Sequence, residues 1–353
     1  MITRRTALSG ALAMAATPSF AAGSGWVVPP EEGPHEATLM MWPVNRRVHP
    51  DAEFLDILQD TIAEIASAIA EFEPIYLMAH PDDWANARAR VSARVTLWDI
   101  PTEDLWARDA GPLFTKNAQG ARAVSHIQFN GWGKKQVHAR DSKVAAAVAS
   151  RMGVDLMPTG LVGEAGGVEH DGHGLLMAHE SSWVIGNRNP GLSRDQLEER
   201  LLKTYGANKM IWSKGVRDQD ITDYHIDSLA RFTGPNTVLI NLPDDPDPYD
   251  DFHQAALQTY DVLEAADLNL TVIPEPAPRA RRIKSEDFVA SYANFYACNG
   301  AVIAAQFGDK EADTIAAKAL ATHYSGREII TLDVDALGEV GGGIHCATQQ
   351  IPV

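Results

Sequence analysis

The chain has 353 residues, of which 45% are hydrophobic and 22% are charged, and its formal net charge is −17. This composition is typical of a soluble globular protein with enough apolar residues for a sizeable core. The negative charge argues against nucleic acid as a partner and favours small cations.

The first 21 residues have the features of an export signal. Arg4 and Arg5 precede an apolar stretch over residues 7–20, and residues 19–21 fit a small-x-small cleavage site. The paired arginines favour the twin-arginine route, so we expect a periplasmic or secreted protein without membrane contact after processing. The alternative is a membrane anchor, but the stretch is too short and too rich in alanine to span a bilayer of about 30 Å. Cleavage would remove two basic residues and no acidic one, and the formal charge would change from −17 to −19.

Residues 26–353 are expected to form one domain, because no low-complexity linker divides them. A pattern of a hairpin, an Ala/Leu-rich helix and a short strand recurs five times. Ser193 and Gln196 form a capping-box pair at one helix start, and the proline-rich segment 243–250 is expected to be a loop. The predicted helices cover about residues 52–72, 137–151, 194–205, 249–266 and 310–323.

The first of these units contains the strand TLMMW but lacks the other half of its hairpin. The last residues of the chain, CATQQIPV, could supply that strand and would then close the five units into a ring. An open α/β sheet is the alternative, since its helices also alternate with strands. The missing half-hairpin favours the ring.

One polar residue or pair stands just before the hairpin of each unit, at intervals of 52 to 69 residues. Taken singly, such a residue is usually a turn or cap residue. In a ring of five units, however, all of them would converge on the axis. They are Asp109, Glu164, His225 with Asp227, Asn294 and Cys346.

Cys346 follows a glycine run, in the sequence GGGIHCATQQIPV. A phosphate-binding loop would need a following helix and a lysine, and neither is present. The glycines are instead expected to let the backbone pass close to the ring axis and to present Cys346 there.

Several carboxylates and an amide around a thiol suit a guanidinium ion, because its N–H donors match the geometry of carboxylates. In that case Cys346 would attack the central carbon. His225 would protonate the departing ammonia and then take a proton from water. His225 and Asp227 are expected on an extended strand, where residues two apart face the same side.

Five ordered motifs resemble those of the agmatine deiminase and bacterial peptidylarginine deiminase family. The resemblance implies a pentein fold, an α/β architecture of five ββαβ units around a pseudo-fivefold axis. It implies that Cys346 is the nucleophile, His225 the acid and base, and Asp109 and Asp227 the guanidinium ligands. Glu164, Asn294 and Trp106 match other pocket positions. The motifs are WARDAGP, EAGG, DYHIDSLARF, SYANFY and GGGIHCATQQIP.

The same resemblance implies hydrolysis of agmatine to N-carbamoylputrescine and ammonia through a covalent Cys346 thiouronium. It implies neither a cofactor nor a metal, and it leaves a homodimer open. Peptidyl-arginine is the second substrate considered. Amidino transfer to an amine is a related but less favoured reaction. A cysteine peptidase is less favoured, because the carboxylates do not suit an oxyanion. An exported binding protein for cationic ligands is less favoured, because the Cys, His and Asp set is intact.

The chain departs from the family pattern in several places. Tyr224 replaces a glycine before the histidine and is expected to narrow the pocket. Gly343 and Ala305 stand where asparagine and proline are common. Lys134 and Lys135 follow FNGWG, in place of the arginine pair of the peptidyl enzymes.

Four other features bear on the site or on the core. Three nearby histidines could hold a metal, but no cysteine or HExxH helix accompanies them. Cys298 is expected in the core, and His345 is expected to point away from the site. Trp132 could stack on a ligand or cap the core. The three histidines are His170, His173 and His179.

Overall fold

The computed structural model describes residues 25–283, 285 and 288–353, so the predicted export signal lies outside the described residues. The strands are β1 (Trp26–Val27), β2 (His35–Met41), β3 (Ile75–Ala79), β4 (Val95–Asp99), β5 (Leu113–Asn117), β6 (Arg122–Gln128), β7 (Asp155–Val162), β8 (Val168–His170), β9 (Leu175–His179), β10 (Lys209–Ser213), β11 (Ala230–Gly234), β12 (Thr237–Leu242), β13 (Asn269–Pro274), β14 (Tyr296–Cys298), β15 (Ala301–Gln306), β16 (Glu328–Asp333) and β17 (Gln349–Pro352). The helices are α1 (Ala52–Ile69), α2 (Trp84–Arg88), α3 (Ala107–Ala110), α4 (Gly131–Lys134), α5 (Val144–Met152), α6 (Glu180–Trp183), α7 (Arg194–Tyr205), α8 (Asp251–Ala265), α9 (Lys310–His323) and α10 (Asp335–Glu339). Short 3-10 turns cover Pro81–Asp83, Asp141–Lys143, Ala165–Gly167 and Ile226–Ser228.

The strands form five small sheets that share one plan. A hairpin supplies two antiparallel strands, and a helix then leads to a third strand that pairs in parallel with the second. Two sheets have an extra strand, β4 beside β3 and β1 beside β5, that the sequence pattern did not predict. The sheet orders are β17-β2-β3-β4, β1-β5-β6-β7, β8-β9-β10, β11-β12-β13 and β14-β15-β16.

The C-terminal strand β17 completes the first sheet. Gln349 pairs with Leu39, and Ile351 pairs with Ala37, in an antiparallel register. Each unit contacts the next, and the fifth contacts the first through β15 and α1. The predicted ring closure is therefore confirmed, and the chain has the pentein fold of five ββαβ units around a pseudo-fivefold axis.

Capping side chains fix where the long helices begin. The Asp309 carboxylate accepts two backbone N–H groups at the start of α9. Ser193 and Gln196 form the predicted capping box at the start of α7. Such caps satisfy N–H groups that have no partner within the helix. Both helices have the predicted bounds, and segment 243–250 is a loop between β12 and α8 as expected.

The second unit differs from its prediction. Its helix α5 begins at Val144, so the expected start at residue 137 is wrong. The reason is Asp141, whose carboxylate accepts the backbone N–H groups of Glu103 and Asp104 at 2.7 and 3.2 Å. These bonds hold the chain before α5 against the loop that carries Asp109.

Buried apolar side chains from the strands and helices form the core around the axis. Leu58, Ile62, Ile65 and Ile69 repeat along one face of α1 and are fully buried, which is the pattern of a helix that packs on a sheet. Within the described part of the chain, none of the helices is long and apolar enough to cross a membrane.

Candidate active site

The loops before the hairpins meet closely at the ring axis. A Cβ atom on Gly166 would lie 2.8 Å from Asp109 Oδ1. The same atom would lie 3.0 Å from both Asp227 Oδ2 and His225 Nδ1. Glycine is therefore required at position 166, and residues from two other units surround it.

Cys346 lies in a turn just before β17 and is 6% exposed. The side-chain amide of Asn294 contacts it twice. Asn294 Oδ1 accepts the Cys346 backbone N–H at 3.2 Å, and Nδ2 lies 3.1 Å from Sγ. Burial raises the pKa of the Cys346 thiol well above its usual value, and the Asp227 and Asp109 carboxylates raise it further. Without a ligand, the thiol is therefore neutral.

The glycine run brings the backbone against two side chains of the site. A Cβ atom on Gly342 would lie 2.6 Å from the Trp106 ring, and one on Gly343 would lie 2.5 Å from Asn294 Oδ1. The expectation that these glycines allow close approach at the axis is confirmed.

The two aspartates share one arrangement, in which one oxygen is held and the other is not. Asp109 Oδ2 accepts the indole N–H of Trp132 at 2.9 Å. Asp227 Oδ2 lies 2.7 Å from His345 Nδ1 and 3.5 Å from Cys346 Sγ. Among the described residues, neither Oδ1 atom has a hydrogen-bond partner, although both are buried. A buried carboxylate oxygen without a donor is costly, so both atoms are suited to a cationic ligand.

Burial raises the pKa of Asp109 to about 6; nearby His225 lowers it, while Glu164 and Asp227 raise it. Burial likewise opposes ionisation of Asp227. The hydrogen bond and charge of His345 and the charge of His225 outweigh it, so the pKa of Asp227 lies below its usual value.

His225 is 2% exposed and faces acidic groups on both sides of its ring. Nε2 lies 3.2 Å from Glu164 Oε2, and Nδ1 lies 3.8 Å from Asp109 Oδ1. Burial disfavours the protonated ring, but Asp109, Glu164 and Asp227 outweigh burial and raise the pKa of His225 to about 9. The ring is therefore a proton donor at neutral pH.

The expectation that His225 and Asp227 lie on a strand is wrong. His225 has an extended backbone and precedes the 3-10 turn Ile226–Ser228, and β11 begins only at Ala230. The two side chains nevertheless both reach the site.

A buried ion-pair network fixes Glu164 behind His225. Arg188 Nε lies 2.9 Å from Glu164 Oε2, and Arg188 Nη1 lies 2.7 Å from Asp223 Oδ2. Lys135 Nζ lies 2.9 Å from the other Asp223 oxygen. Burial opposes ionisation of Glu164, but Arg188 and His225 outweigh it and lower its pKa. No sequence motif pointed to Arg188.

A cavity of about 220 Å³ lies beside Cys346. Of the predicted site residues, Trp106, Asp109, His225 and Cys346 line it. Asp227, Glu164 and Asn294 are not among the lining residues, but each contacts Cys346 or His225. The lining also includes Gly341 of the glycine run and residues that the sequence did not identify, namely Val48, His49, Asp104, Gln136, Ile221, Thr222, Ser228 and Val340.

Three of these additional residues are bonded to one another. Asp104 Oδ1 lies 2.8 Å from His49 Nε2, and Asp104 Oδ2 accepts an N–H of Gln136 at 2.7 Å. The position of Asp104, five residues before Asp109, is a signal that could have identified it. Trp132 lines the cavity and donates a hydrogen bond to Asp109. It therefore does more than cap the core.

The expectation that Tyr224 narrows the pocket is wrong. Its ring stacks on His179, with centroids 4.6 Å apart, and meets Phe252 edge-on at 5.1 Å. Tyr224 is not among the residues that line the cavity. His179 Nδ1 lies 2.8 Å from the Tyr224 carbonyl, and Nε2 lies 3.2 Å from Thr259 Oγ1.

His345 also differs from its expectation. It does not point away from the site but contacts Asp227, because Cys346 and His345 lie in a turn where strand alternation does not apply. Cys298 is fully buried, as expected for a core residue.

Comparison with known proteins agrees with this geometry. Residues 27–352 match the model of the Porphyromonas-type peptidyl-arginine deiminase family. A Streptomyces coelicolor protein, provisionally described as an agmatine deiminase, is 33% identical over 337 residues, which cover 92% of this chain and 98% of that protein. The solved agmatine deiminase of Enterococcus faecalis superposes with a TM-score of 0.83 at 26% identity, covering 93% of this chain and 96% of that one. A cysteine-to-serine variant of C. jejuni agmatine deiminase with substrate bound has a TM-score of 0.82 at 25% identity, covering 92% and 96%.

Proposed function

Because this chain belongs to the Porphyromonas-type peptidyl-arginine deiminase family, we propose that it hydrolyses agmatine to N-carbamoylputrescine and ammonia. The chain is a hydrolase that acts on the C–N bonds of guanidino groups. The observation that carries the proposal is a pair of buried oxygens beside a buried thiol, Asp109 Oδ1 and Asp227 Oδ1, which have no hydrogen-bond partner among the described residues.

Substrate binding starts from the two aspartates. Each carboxylate has one oxygen held by a protein donor, which leaves the other to accept N–H groups of the guanidinium. Charge-assisted contacts of this kind are shorter and stronger than neutral hydrogen bonds. Asp227 Oδ2 lies 3.5 Å from Cys346 Sγ, so a guanidinium held by the aspartates lies against the sulfur.

Binding also activates the nucleophile. The Asp109 and Asp227 carboxylates help to raise the pKa of the thiol in the free enzyme. A guanidinium between them neutralises that effect and adds a positive charge near Sγ, so the pKa of the thiol falls when substrate arrives. The thiol then loses its proton to water, and Asn294 Nδ2 donates to the resulting thiolate.

The proposed reaction has two chemical stages. The Cys346 thiolate forms a bond to the guanidinium carbon, His225 donates its proton to one amino group, and the C–N bond to that group breaks with release of ammonia. This leaves a thiouronium on Cys346. Water then attacks the same carbon while His225 takes a proton from it. The C–S bond breaks and releases the thiolate, and the oxygen that came from water loses its remaining proton to solvent to give the neutral ureido product.

Three observations support a small cationic substrate. The cavity of about 220 Å³ is smaller than the roughly 300–1,000 Å³ of sites for drug-sized ligands. The formal charge of −17 favours a dication over a molecule that bears a carboxylate. Lys135 is bound by Asp223 and by the Asp220 carbonyl, so it is not free to bind a substrate carboxylate.

Peptidyl-arginine is the second candidate substrate, because the matching family model is named for a peptidyl-arginine deiminase. We also propose that the enzyme acts in the periplasm or outside the cell, which rests on the twin arginines Arg4 and Arg5. Extracellular peptides would then be within reach.

The deciding experiment measures ammonia release from agmatine, free arginine and a peptide that ends in arginine. We expect the highest kcat/KM for agmatine, and we expect Cys346→Ser to fold normally without measurable turnover, because a serine hydroxyl is a poor nucleophile at neutral pH. A tenfold preference for the peptide, about 1.4 kcal/mol of transition-state binding, would replace agmatine by peptidyl-arginine. No ammonia from any guanidine would overturn the proposed function.

A further inference from the structure

The ring of His345 lies between two carboxylates. Nδ1 is 2.7 Å from Asp227 Oδ2, and Nε2 is 3.0 Å from Glu31 Oε2. The His345 side chain is only 3% exposed, and it is not among the residues that line the cavity. It therefore connects a substrate ligand of the proposed reaction to a buried acidic residue on the side away from the cavity.

Cations other than His345 favour the ionised form of both carboxylates, namely Arg231 and Arg108 at Glu31 and His225 and Arg231 at Asp227. Burial opposes ionisation of Glu31, but Arg231, His345 and Arg108 outweigh burial and hold its pKa well below the usual value. The pKa of Asp227 is also lowered against the effect of burial. An ionised carboxylate can only accept hydrogen bonds, so both contacts require a ring nitrogen that donates.

The two carboxylates depend on His345 to different degrees. Glu31 Oε2 accepts an N–H of Arg108 at 2.8 Å, and Glu31 Oε1 accepts one from Arg231 at 3.0 Å and the Ala297 backbone N–H at 3.0 Å. Among the described residues, the side chain of Asp227 has only His345 and the Cys346 thiol as hydrogen-bond partners. Loss of the Nδ1 donor would thus affect Asp227 far more than loss of the Nε2 donor would affect Glu31.

We propose that His345 is a positioning residue for the reaction, a doubly protonated imidazolium whose Nδ1–H holds Asp227 Oδ2 and leaves Oδ1 directed at the guanidinium. The inference rests on the proposed function, since it assigns a role within that chemistry. His345 touches neither substrate nor sulfur and acts only through Asp227. The positive charge also favours an ionised Asp227 at a site where burial disfavours one.

Two substitutions separate the two ends of the ring. His345→Asn keeps an amide N–H near the position of Nδ1, facing Asp227. His345→Gln places its amide near the position of Nε2, facing Glu31, and leaves Asp227 without that donor. Both remove the charge and have a similar size. His323→Asn is the matched control, because within the described part of the chain the His323 ring bonds only to the Thr233 and Thr271 hydroxyl groups.

We expect kcat/KM for the best guanidino substrate to fall about ten- to hundredfold in His345→Gln, the size expected for a lost charge-assisted hydrogen bond. His345→Asn should recover at least about tenfold of that loss, and His323→Asn should match the wild type. Thermal unfolding of both His345 variants should be alike, so that stability does not explain the difference. Equal activity of the Asn and Gln variants would overturn the proposal.

A spectroscopic measurement tests the protonation state without activity. In ring-¹⁵N-histidine NMR spectra at neutral pH, the wild type should show a histidine with both nitrogens protonated that is missing from His345→Asn. A singly protonated His345 would overturn the proposal. If neither variant folds, the wild-type spectrum still tests the proposal, because His225 and His345 should both be doubly protonated. Fewer than two doubly protonated histidines would then overturn it. Inactivity of the wild type on all guanidines, in contrast, is a failure of the proposed function.

Discussion

Trp132 donates its indole N–H to Asp109 Oδ2 at 2.9 Å. Trp132 has a left-handed backbone, with φ of 53°, between two glycines that are also left-handed. Such a conformation is costly for a residue with a side chain and persists only where its surroundings enforce it. The turn therefore directs the indole at Asp109 Oδ2, while Asp109 Oδ1 has no hydrogen-bond partner in the part of the chain that the structure describes.

Substitution of the two aspartates should weaken guanidinium binding. We expect Asp109→Asn and Asp227→Asn each to lower kcat/KM about ten- to hundredfold, since each loses a charge-assisted contact of about 1.5–3 kcal/mol. The measurement is ammonia release over a range of agmatine concentrations. Asp82→Asn is the control, because the Asp82 side chain is 89% exposed. Unchanged binding of a guanidino ligand in both variants would show that the cation site is wrong.

The sequence predicted much of this site because a pentein repeats one position in each unit. Asp109, Glu164, His225 and Asn294 each precede a hairpin, so their convergence followed from topology alone. The pairing of β17 with β2 was predictable for the same reason, since the first unit lacked one strand. These features depend on chain order rather than on side-chain detail.

The remaining features depend on contacts between distant segments. Arg188 carries no motif, and its role appears only where Glu164 and Asp223 meet it in the fold. His345 was expected to point away because strand alternation was assumed where the chain forms a turn. Tyr224 was expected in the pocket because of its neighbour His225, but the left-handed backbone at Asp223 and Tyr224, with φ of 61° and 66°, turns it outward.

The pH dependence of kcat/KM should be bell-shaped. Asp109 must be ionised to bind the guanidinium, and its pKa is raised to about 6, so activity should fall as the pH drops through about 6. His225 must be protonated to release ammonia, and its pKa is raised to about 9, so activity should fall as the pH rises through about 9. The profile of kcat/KM reports groups of the free enzyme. Constant kcat/KM up to pH 10 or above would contradict the role of His225 as the acid.

Removal of the Arg188 guanidinium should destabilise the fold strongly. Arg188→Met keeps an apolar stem but leaves Glu164 and Asp223 buried with fewer partners. Breaking a buried ion pair from one side costs about 3–5 kcal/mol. The free energy of unfolding in urea is the measurement. Arg94→Met is the matched control, because the Arg94–Glu71 pair is more than half exposed and such pairs contribute about 0–1 kcal/mol. Similar losses of unfolding free energy in Arg188→Met and Arg94→Met would contradict the stabilising role of the buried ion-pair network.

Export should depend on the arginine pair near the N-terminus. Replacement of Arg4 and Arg5 together by lysine should retain the chain in the cytoplasm as an uncleaved precursor. Cell fractionation and the mass of the retained protein are the measurements, with Arg46→Lys, outside the signal, as the control. Normal export of the double variant would show that export does not depend on these two arginines.

Two effects on the stability of the fold oppose each other at Tyr224. Glycine at this position would relieve a left-handed backbone that costs roughly 1–2 kcal/mol for a residue with a side chain. It would also remove a ring that packs on His179 and Phe252, and loss of a buried aromatic side chain costs about 3–5 kcal/mol. Tyr224 is only half-buried, so the packing range is an upper limit, and Tyr224→Gly should be less stable by at most about 4 kcal/mol. Tyr224→Phe keeps the ring and serves as the control. Because the ring does not line the cavity, the ratio of kcat/KM for agmatine to that for an arginyl peptide should change by less than about threefold, under about 0.7 kcal/mol. A larger change in Tyr224→Gly, with Tyr224→Phe like the wild type, would place the ring at the substrate after all.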